Sequence, residues 1–268
     1  MTYDLAWTSD LRFDRMDAAA RTAFIERLEE RCPNALLVAG DLATGPTLAR
    51  ALQWLGELGV RTYFVLGNRD GWGMGFGKAR GIAHDTCRQF PLLTYLSTTG
   101  VVQLAPDLAL VGADGWYDAR AGKCDTTPAP PDFARNPDLA ARPTRAERIQ
   151  WVRMWADYAE RQIMEGLTSA LQHHSHVIVA THVSPWPHGT HNLRSLPWAV
   201  HQELGVKLRE VARAFPERTI SVFCGHSRAT ASLQVSPNLT CHTSAARHLR
   251  TRNGPKWGVG SMPANRPE

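Results

Sequence analysis

The sequence has 268 residues, of which 43% are hydrophobic and 21% are charged, a composition that excludes global disorder and allows one large folded domain. No apolar run approaches the roughly 18 residues that a membrane span requires, and residues 1–10 lack a signal-peptide pattern. We therefore expect a cytoplasmic protein without a membrane partner. The five cysteines include no Cys-x-x-Cys pair, which favours reduced thiols over a structural zinc site.

Short apolar runs alternate with longer amphipathic stretches, which predicts an α/β protein. The predicted strands are residues 3–8, 35–39, 61–66, 101–104, 108–112, 177–180, 219–224, 233–236 and 240–243. The predicted helices are residues 17–31, 47–58, 144–172 and 203–215. We expect a mobile glycine-rich loop at 71–81 and a surface loop or lid at 118–143. A loose tail is expected at 250–268, which leaves one domain that spans residues 1–249.

Five predicted strands are each followed by a side chain that is able to bind a metal ion. These side chains are Asp10, Asp41, Asn68, His182 and His226. Because the carboxyl ends of parallel strands share one edge of a sheet, residues that are distant in sequence meet there. Carboxylate, amide oxygen and imidazole together suit a divalent transition ion, so we predict these five residues as metal ligands.

The same positions carry a family resemblance that extends from residue 3 to about residue 248. The ordered blocks resemble those of the calcineurin-like metallophosphoesterases. They are Ser9-Asp10-Leu11-Arg12, Gly40-Asp41, Gly67-Asn68-Arg69-Asp70, Thr181-His182 and Gly225-His226-Ser227-Arg228. The resemblance implies a two-sheet β-sandwich flanked by helices, a two-metal site at one end, and hydrolysis of phosphate mono- or diesters by a metal-activated water.

Three motif histidines of that family are arginines in this chain, namely Arg12, Arg69 and Arg228. By resemblance, the first metal would take the positions of Asp10, Arg12, Asp41 and Arg228. The second metal would take those of Asp41, Asn68, His182 and His226. Arginine has no acceptor atom and stays protonated, so it cannot be a ligand. We therefore predict one divalent ion per chain (manganese, iron or zinc), held at the second site.

The arginines have other predicted roles. We expect Arg12 and Arg228 to pair with Asp10 and Asp41, and Arg12, Arg69 and Arg228 to line a pocket for the substrate phosphate. Arg69 takes the place of the histidine that assists the leaving group in the family. It cannot donate a proton at neutral pH, but it can stabilise a phosphate oxyanion. The predicted catalytic residues are thus Arg69 and Asp70, with Asp70 expected to pair with an arginine.

Two other functions compete with a one-metal phosphoesterase. In the first, residues 225–229 form a nucleophile elbow of a serine hydrolase, but Glu268 is the only acidic residue after Ser227. In the second, the chain is a non-catalytic relative that binds a phosphate ligand or a partner protein through its arginine-lined pocket. The basic pI of about 9.1 allows a nucleic-acid partner, although no nucleic-acid-binding motif is present.

Overall fold

The computed structural model describes residues 3–189, 193–227 and 230–244. Its strands are β1 (Leu5–Thr8), β2 (Ala35–Ala39), β3 (Thr62–Val65), β4 (Leu93–Tyr95), β5 (Val102–Ala105), β6 (Leu108–Gly112), β7 (His176–Ala180), β8 (Thr219–Cys224), β9 (Ala231–Ser236) and β10 (Leu239–Thr243). Its helices are α1 (Ala18–Arg31), α2 (Leu48–Gly56), α3 (Phe76–Gln89), α4 (Asp132–Arg135), α5 (Pro137–Ala140), α6 (Arg145–Leu171) and α7 (Gln202–Ala214). The α/β fold class predicted from the sequence is confirmed.

The strands form two sheets. The first sheet has the order β1-β2-β3-β4 and is entirely parallel. The second sheet has the order β5-β6-β7-β8-β10-β9, with a parallel centre and an antiparallel strand at each edge. The parallel strands β1, β2, β3, β7 and β8 carry the five predicted ligands just beyond their carboxyl ends.

The two sheets pack face to face, with helices covering their outer faces. Between the sheets, Trp7 and Leu37 of the first meet Ile178 and Phe223 of the second in one buried cluster. A second cluster joins the first sheet to α2, α3 and the amino-terminal half of α6, and a third places the rest of α6 and α7 over the second sheet. Strands buried on both faces explain why their sequences are continuous apolar runs.

The predicted mobile loop at 71–81 is wrong, because α3 begins inside it. Phe76 and Ala79 are fully buried and anchor the first turn of this helix in the core, while Gly77 and Gly81 lie where a side chain would meet open space. Asp138 accepts a hydrogen bond from the backbone N–H of Phe76 at 2.7 Å and thereby caps the helix from a distant segment. Tertiary packing thus outweighs the low helix propensity of the glycines.

The predicted surface loop at 118–143 is also more ordered than expected. It contains α4 and α5, and it buries Asp118, Phe133, Asn136 and Leu139 almost completely. The expected tail at 250–268 lies outside the described residues. Within the described ranges, none of the helices combines the length and the hydrophobicity that crossing a bilayer requires.

Candidate metal and phosphate site

The adjoining carboxyl edges of the two sheets bring all five predicted ligands into one cluster. Side-chain atoms of Asp10, Asp41 and His182 lie within 4.8 Å of one another. The backbone N–H of His226 donates to Asp10 Oδ2 at 3.0 Å, and His226 Nδ1 lies 3.1 Å from Asn68 Oδ1. The first sheet thus supplies the oxygen ligands, and the second sheet supplies both imidazoles.

Strained backbone holds three of these side chains. Asp10, Asp41 and His226 have φ values of 53°, 52° and 62°, in the left-handed region that residues other than glycine seldom adopt. The preceding Gly225 is equally constrained, because a Cβ there would lie 1.6 Å from Ser9 Oγ and 2.5 Å from Asp10 Oδ2. Strain of this kind persists only where surrounding packing enforces it, and it concentrates at functional sites.

His182 and Asp41 present buried atoms that have no hydrogen-bond partner. The Nδ1–H of His182 donates to the carbonyl oxygen of Ala39 at 2.8 Å, which turns Nε2 toward Asp41. Nε2 lies 3.4 Å from Asp41 Oδ1, and both His182 Nε2 and Asp41 Oδ2 lack a hydrogen-bond partner among the described residues. An imidazole nitrogen beside a carboxylate oxygen suits a divalent cation, and a backbone-anchored imidazole is a common metal ligand.

The contacts of the His226 ring also indicate a cation-binding site. Its Nε2 lies 2.9 Å from the carbonyl oxygen of Trp198, and its Nδ1 faces Asn68 Oδ1. Burial and the neighbouring His182 lower the pKa of His226, so the ring is neutral at pH 7 and has a single N–H. One ring nitrogen therefore faces an oxygen lone pair, an arrangement that a bound cation would make favourable. The donor set of Asp41, Asn68, His182 and His226 fits a divalent metal.

The pKa values of the two carboxyl groups in the cluster are shifted in opposite directions. Burial raises the pKa of Asp10. Burial also acts to raise the pKa of Asp41, but the neighbouring His182 and Arg69 outweigh it and hold that pKa below its ordinary value. Asp41 therefore stays ionised, as a metal-binding carboxylate must.

Arg69 compensates the charge of Asp41 directly. Its Nε lies 3.0 Å from Asp41 Oδ2 as an ion pair without hydrogen-bond alignment, and its backbone N–H donates to Asp41 Oδ1 at 3.0 Å. The Arg69 side chain is 31% exposed, and its guanidinium lies over the ring of Trp72 at 5.0 Å. Arg135 lies 4.6 Å from the same ring, so the rim of the site is basic.

Arg12 is buried, and its charge has no ion-pair partner among the described residues. The residue is 6% exposed, and its Nε and Nη2 have no hydrogen-bond partner in the described part of the chain. Burial and the nearby Arg69 lower its pKa. The expected ion pair of Arg12 with Asp10 or Asp41 is therefore wrong, since Arg69 pairs with Asp41 instead and Asp10 accepts from Ser9 Oγ at 2.6 Å. Arg228 lies outside the described residues.

Asp70 contacts backbone groups rather than the expected arginine. It is fully buried, and its two oxygens accept from the N–H groups of Ala43 at 2.9 Å and Gly67 at 2.7 Å. Burial and the charge of Asp41 raise its pKa, whereas these two hydrogen bonds act to lower it. Asp70 thus ties the loop after β2 to the loop after β3. Its catalytic assignment stays a prediction.

Asp132 is the residue of the site that sequence reasoning missed. Its Oδ1 accepts hydrogen bonds from Asn68 Nδ2 at 2.7 Å and from Trp72 Nε1 at 2.9 Å. It lies in the proline- and alanine-rich segment that predicts only a surface loop, 64 positions from Asn68. The one signal in the sequence is an acidic residue followed directly by Phe133, a pattern too common to identify a contact.

Comparisons with known proteins identify the fold. No family model matches the sequence, and no curated protein matches it. Among solved structures, the chain is similar to a dimetal phosphatase from Danio rerio, with 12% identity, a TM-score of 0.58, and coverage of 91% of this chain and 87% of that one. It is also similar to the protein TT1561 of Thermus thermophilus, with 14% identity, a TM-score of 0.59, and coverage of 91% of this chain and 90% of that one. The fold is therefore that of the metallo-dependent phosphatases.

Proposed function

We propose that this chain is a calcineurin-like phosphoesterase that hydrolyses a phosphate mono- or diester with a single divalent metal ion. The observation that carries the proposal is the pairing of two unsatisfied groups in one cleft. His182 Nε2 and Asp41 Oδ2 have no hydrogen-bond partner among the described residues, and neither have Nε and Nη2 of the buried Arg12. A metal ion would bind the atoms of His182 and Asp41, and a phosphate group would bind the guanidinium of Arg12.

Each residue has a defined role in this proposal. Asp41, Asn68, His182 and His226 hold the metal, which would polarise the phosphoryl group or lower the pKa of a bound water. The guanidinium of Arg12 binds phosphate oxygens, since its planar donors match their geometry. Arg69 neutralises Asp41 and, from its partly exposed position, contributes a second positive charge to the substrate phosphate.

The arginine at position 69 restricts the substrates. A guanidinium does not donate a proton at neutral pH, so Arg69 gives the leaving group no general-acid assistance. We expect turnover of esters whose leaving groups depart as anions, such as aryl phosphates, and little turnover of alkyl phosphates. Measuring rates across phenyl phosphates of increasing phenol pKa tests this, and a rate independent of leaving-group pKa would contradict it.

A non-catalytic phosphate-binding function is the second candidate. The observation in its favour is the ion pair between Arg69 and Asp41, which already compensates part of the acidic charge that a metal would neutralise. In that case the purified chain binds no metal and does not turn over substrate, yet inorganic phosphate still raises its melting temperature.

Metal quantification combined with activity separates these functions. We expect about one Mn²⁺ per chain, with hydrolysis of an aryl phosphate mono- or diester. His182→Ala should abolish both, and the exposed His173→Ala, near the other end of β7, should change neither. Two ions per wild-type chain would refute our interpretation of the arginines. If the wild-type chain binds one ion, Arg12→His combined with Arg228→His should create a second metal site in the variant.

A further inference from the structure

Asp132 is a buried carboxylate without a cationic partner among the described ion pairs. The residue is 3% exposed, and the groups that satisfy its Oδ1 are neutral N–H donors of Asn68 and Trp72. Burial and the neighbouring Asp132 raise the pKa of the Tyr117 hydroxyl, so a second aromatic side chain lies beside this carboxyl group. Burying an unpaired carboxylate is unfavourable, and its placement therefore calls for a physical explanation.

The explanation lies in the amide of Asn68. An amide has a donor end and an acceptor end of nearly equal shape, and its neighbours decide which way it points. The indole N–H of Trp72 can only donate, so Asp132 Oδ1 is an acceptor and requires the Nδ2 of Asn68 to face it at 2.7 Å. The opposite end of the amide, Oδ1, then faces the ring of His226. A reversed amide would set an oxygen against the Asp132 carboxylate and present N–H groups to the cluster.

We infer that Asp132 is a positioning residue that keeps the oxygen of Asn68 directed into the metal cluster. The inference rests on the proposed metal site, and it adds a residue from the 118–143 segment to that site. Outer hydrogen-bond partners of metal ligands typically contribute 10- to 100-fold in affinity. Asp132 therefore couples the folding of α4 to metal binding at the edge of the two sheets.

The test is the Mn²⁺ affinity of the full chain, measured by calorimetry. Asp132→Ala should weaken binding about 10- to 100-fold. Asp132→Asn keeps an acceptor oxygen at this position and should stay within a few-fold of the wild-type affinity. Trp72→Phe removes the other hydrogen bond to the same Oδ1 without freeing Asn68, and it should also bind Mn²⁺ nearly as well as the wild-type protein.

A second background distinguishes orientation from general support. In Asn68→Asp the side chain has two equivalent oxygens and no N–H to offer Asp132, so the contact with Asp132 now opposes the arrangement. Adding Asp132→Ala or Asp132→Asn to Asn68→Asp should therefore strengthen Mn²⁺ binding, which reverses the sign of the alanine effect. If Asp132→Ala does not fold, the Asp132→Asn pair still provides this comparison.

Three results would overturn the inference. Asp132→Ala could bind Mn²⁺ as tightly as the wild-type protein. Trp72→Phe could weaken binding as much as Asp132→Ala, which would indicate general structural support. The sign reversal could be missing in Asn68→Asp. A wild-type chain that binds no Mn²⁺ is a different result, since it would refute the metal site of the proposed function itself and remove the basis for a role of Asp132.

Discussion

Replacing Arg12 by methionine should make the protein more stable and remove its affinity for phosphate. Arg12 is 6% exposed, and two of its guanidinium nitrogens have no hydrogen-bond partner in the described residues. Leaving a buried polar group unsatisfied costs about 1–3 kcal/mol. Methionine fills a similar volume without this penalty, so Arg12→Met should raise the free energy of unfolding by about 1–3 kcal/mol. For a chain of this size the melting temperature should rise by about 2–12 °C.

Thermal unfolding with and without inorganic phosphate measures both effects. A chelator in every sample removes the contribution of metal ions, so that only the arginine pocket is tested. Phosphate at a hundredfold excess over its Kd should stabilise the wild-type protein by about 2.7 kcal/mol and leave Arg12→Met unchanged. The exposed Arg15→Met serves as the matched control and should keep the full phosphate effect.

Two results would refute this reasoning about Arg12. A lower melting temperature for Arg12→Met would show that the guanidinium is satisfied in the folded protein. An unchanged phosphate effect would show that the anion binds elsewhere. Arg12→Lys keeps a positive charge but lacks the planar arrangement of donors, so it should retain only part of the phosphate effect.

Two further predictions concern buried residues that affect the free energy of unfolding. Burial lowers the pKa of His201 to about 4, so the unfolded chain takes up a proton first as the pH falls from 6.5. The contribution of His201 to the free energy of unfolding should then decrease by about 3 kcal/mol between pH 6.5 and 4, so the loss of stability over this range should be smaller by about that amount in His201→Gln, measured by denaturant titrations. Asp70→Ala removes both backbone hydrogen bonds of that carboxylate and should destabilise the fold by about 2–4 kcal/mol, whereas the exposed Asp85→Ala should change the unfolding midpoint little.

The ligand cluster could be predicted because its signals are local in the sequence. Each ligand lies two or three residues after the end of a buried apolar strand, and parallel strands carry such positions to a shared edge. Asp41 and His182 illustrate this, since 141 positions separate them in the sequence and 3.4 Å separates their side-chain atoms. Neither residue needs a remote contact to be recognised as a candidate.

Contacts from irregular segments could not be predicted in this way. Asp132 and Asp138 both lie in the 118–143 segment, where no hydrophobic periodicity marks an inward face. Asp132 orients Asn68 and Asp138 caps α3, and both contacts span more than 60 positions. The pairing of the arginines could not be predicted either, because the sequence places arginines at three motif positions but does not show which arginine lies beside which carboxylate.

In the proposed one-metal site, two arginines would take over the charges that a first metal ion would supply. Arg69 neutralises Asp41 at 3.0 Å, so it replaces the charge that a cation would supply to the carboxylate. Arg12 pairs with no carboxylate among the described ion pairs, so its charge remains free to attract an anion. A covalently attached guanidinium does not dissociate when metal is scarce, and therefore the positive charge that faces a phosphate group is constant. On this basis, phosphate affinity should persist after chelation, and hydrolysis should be lost.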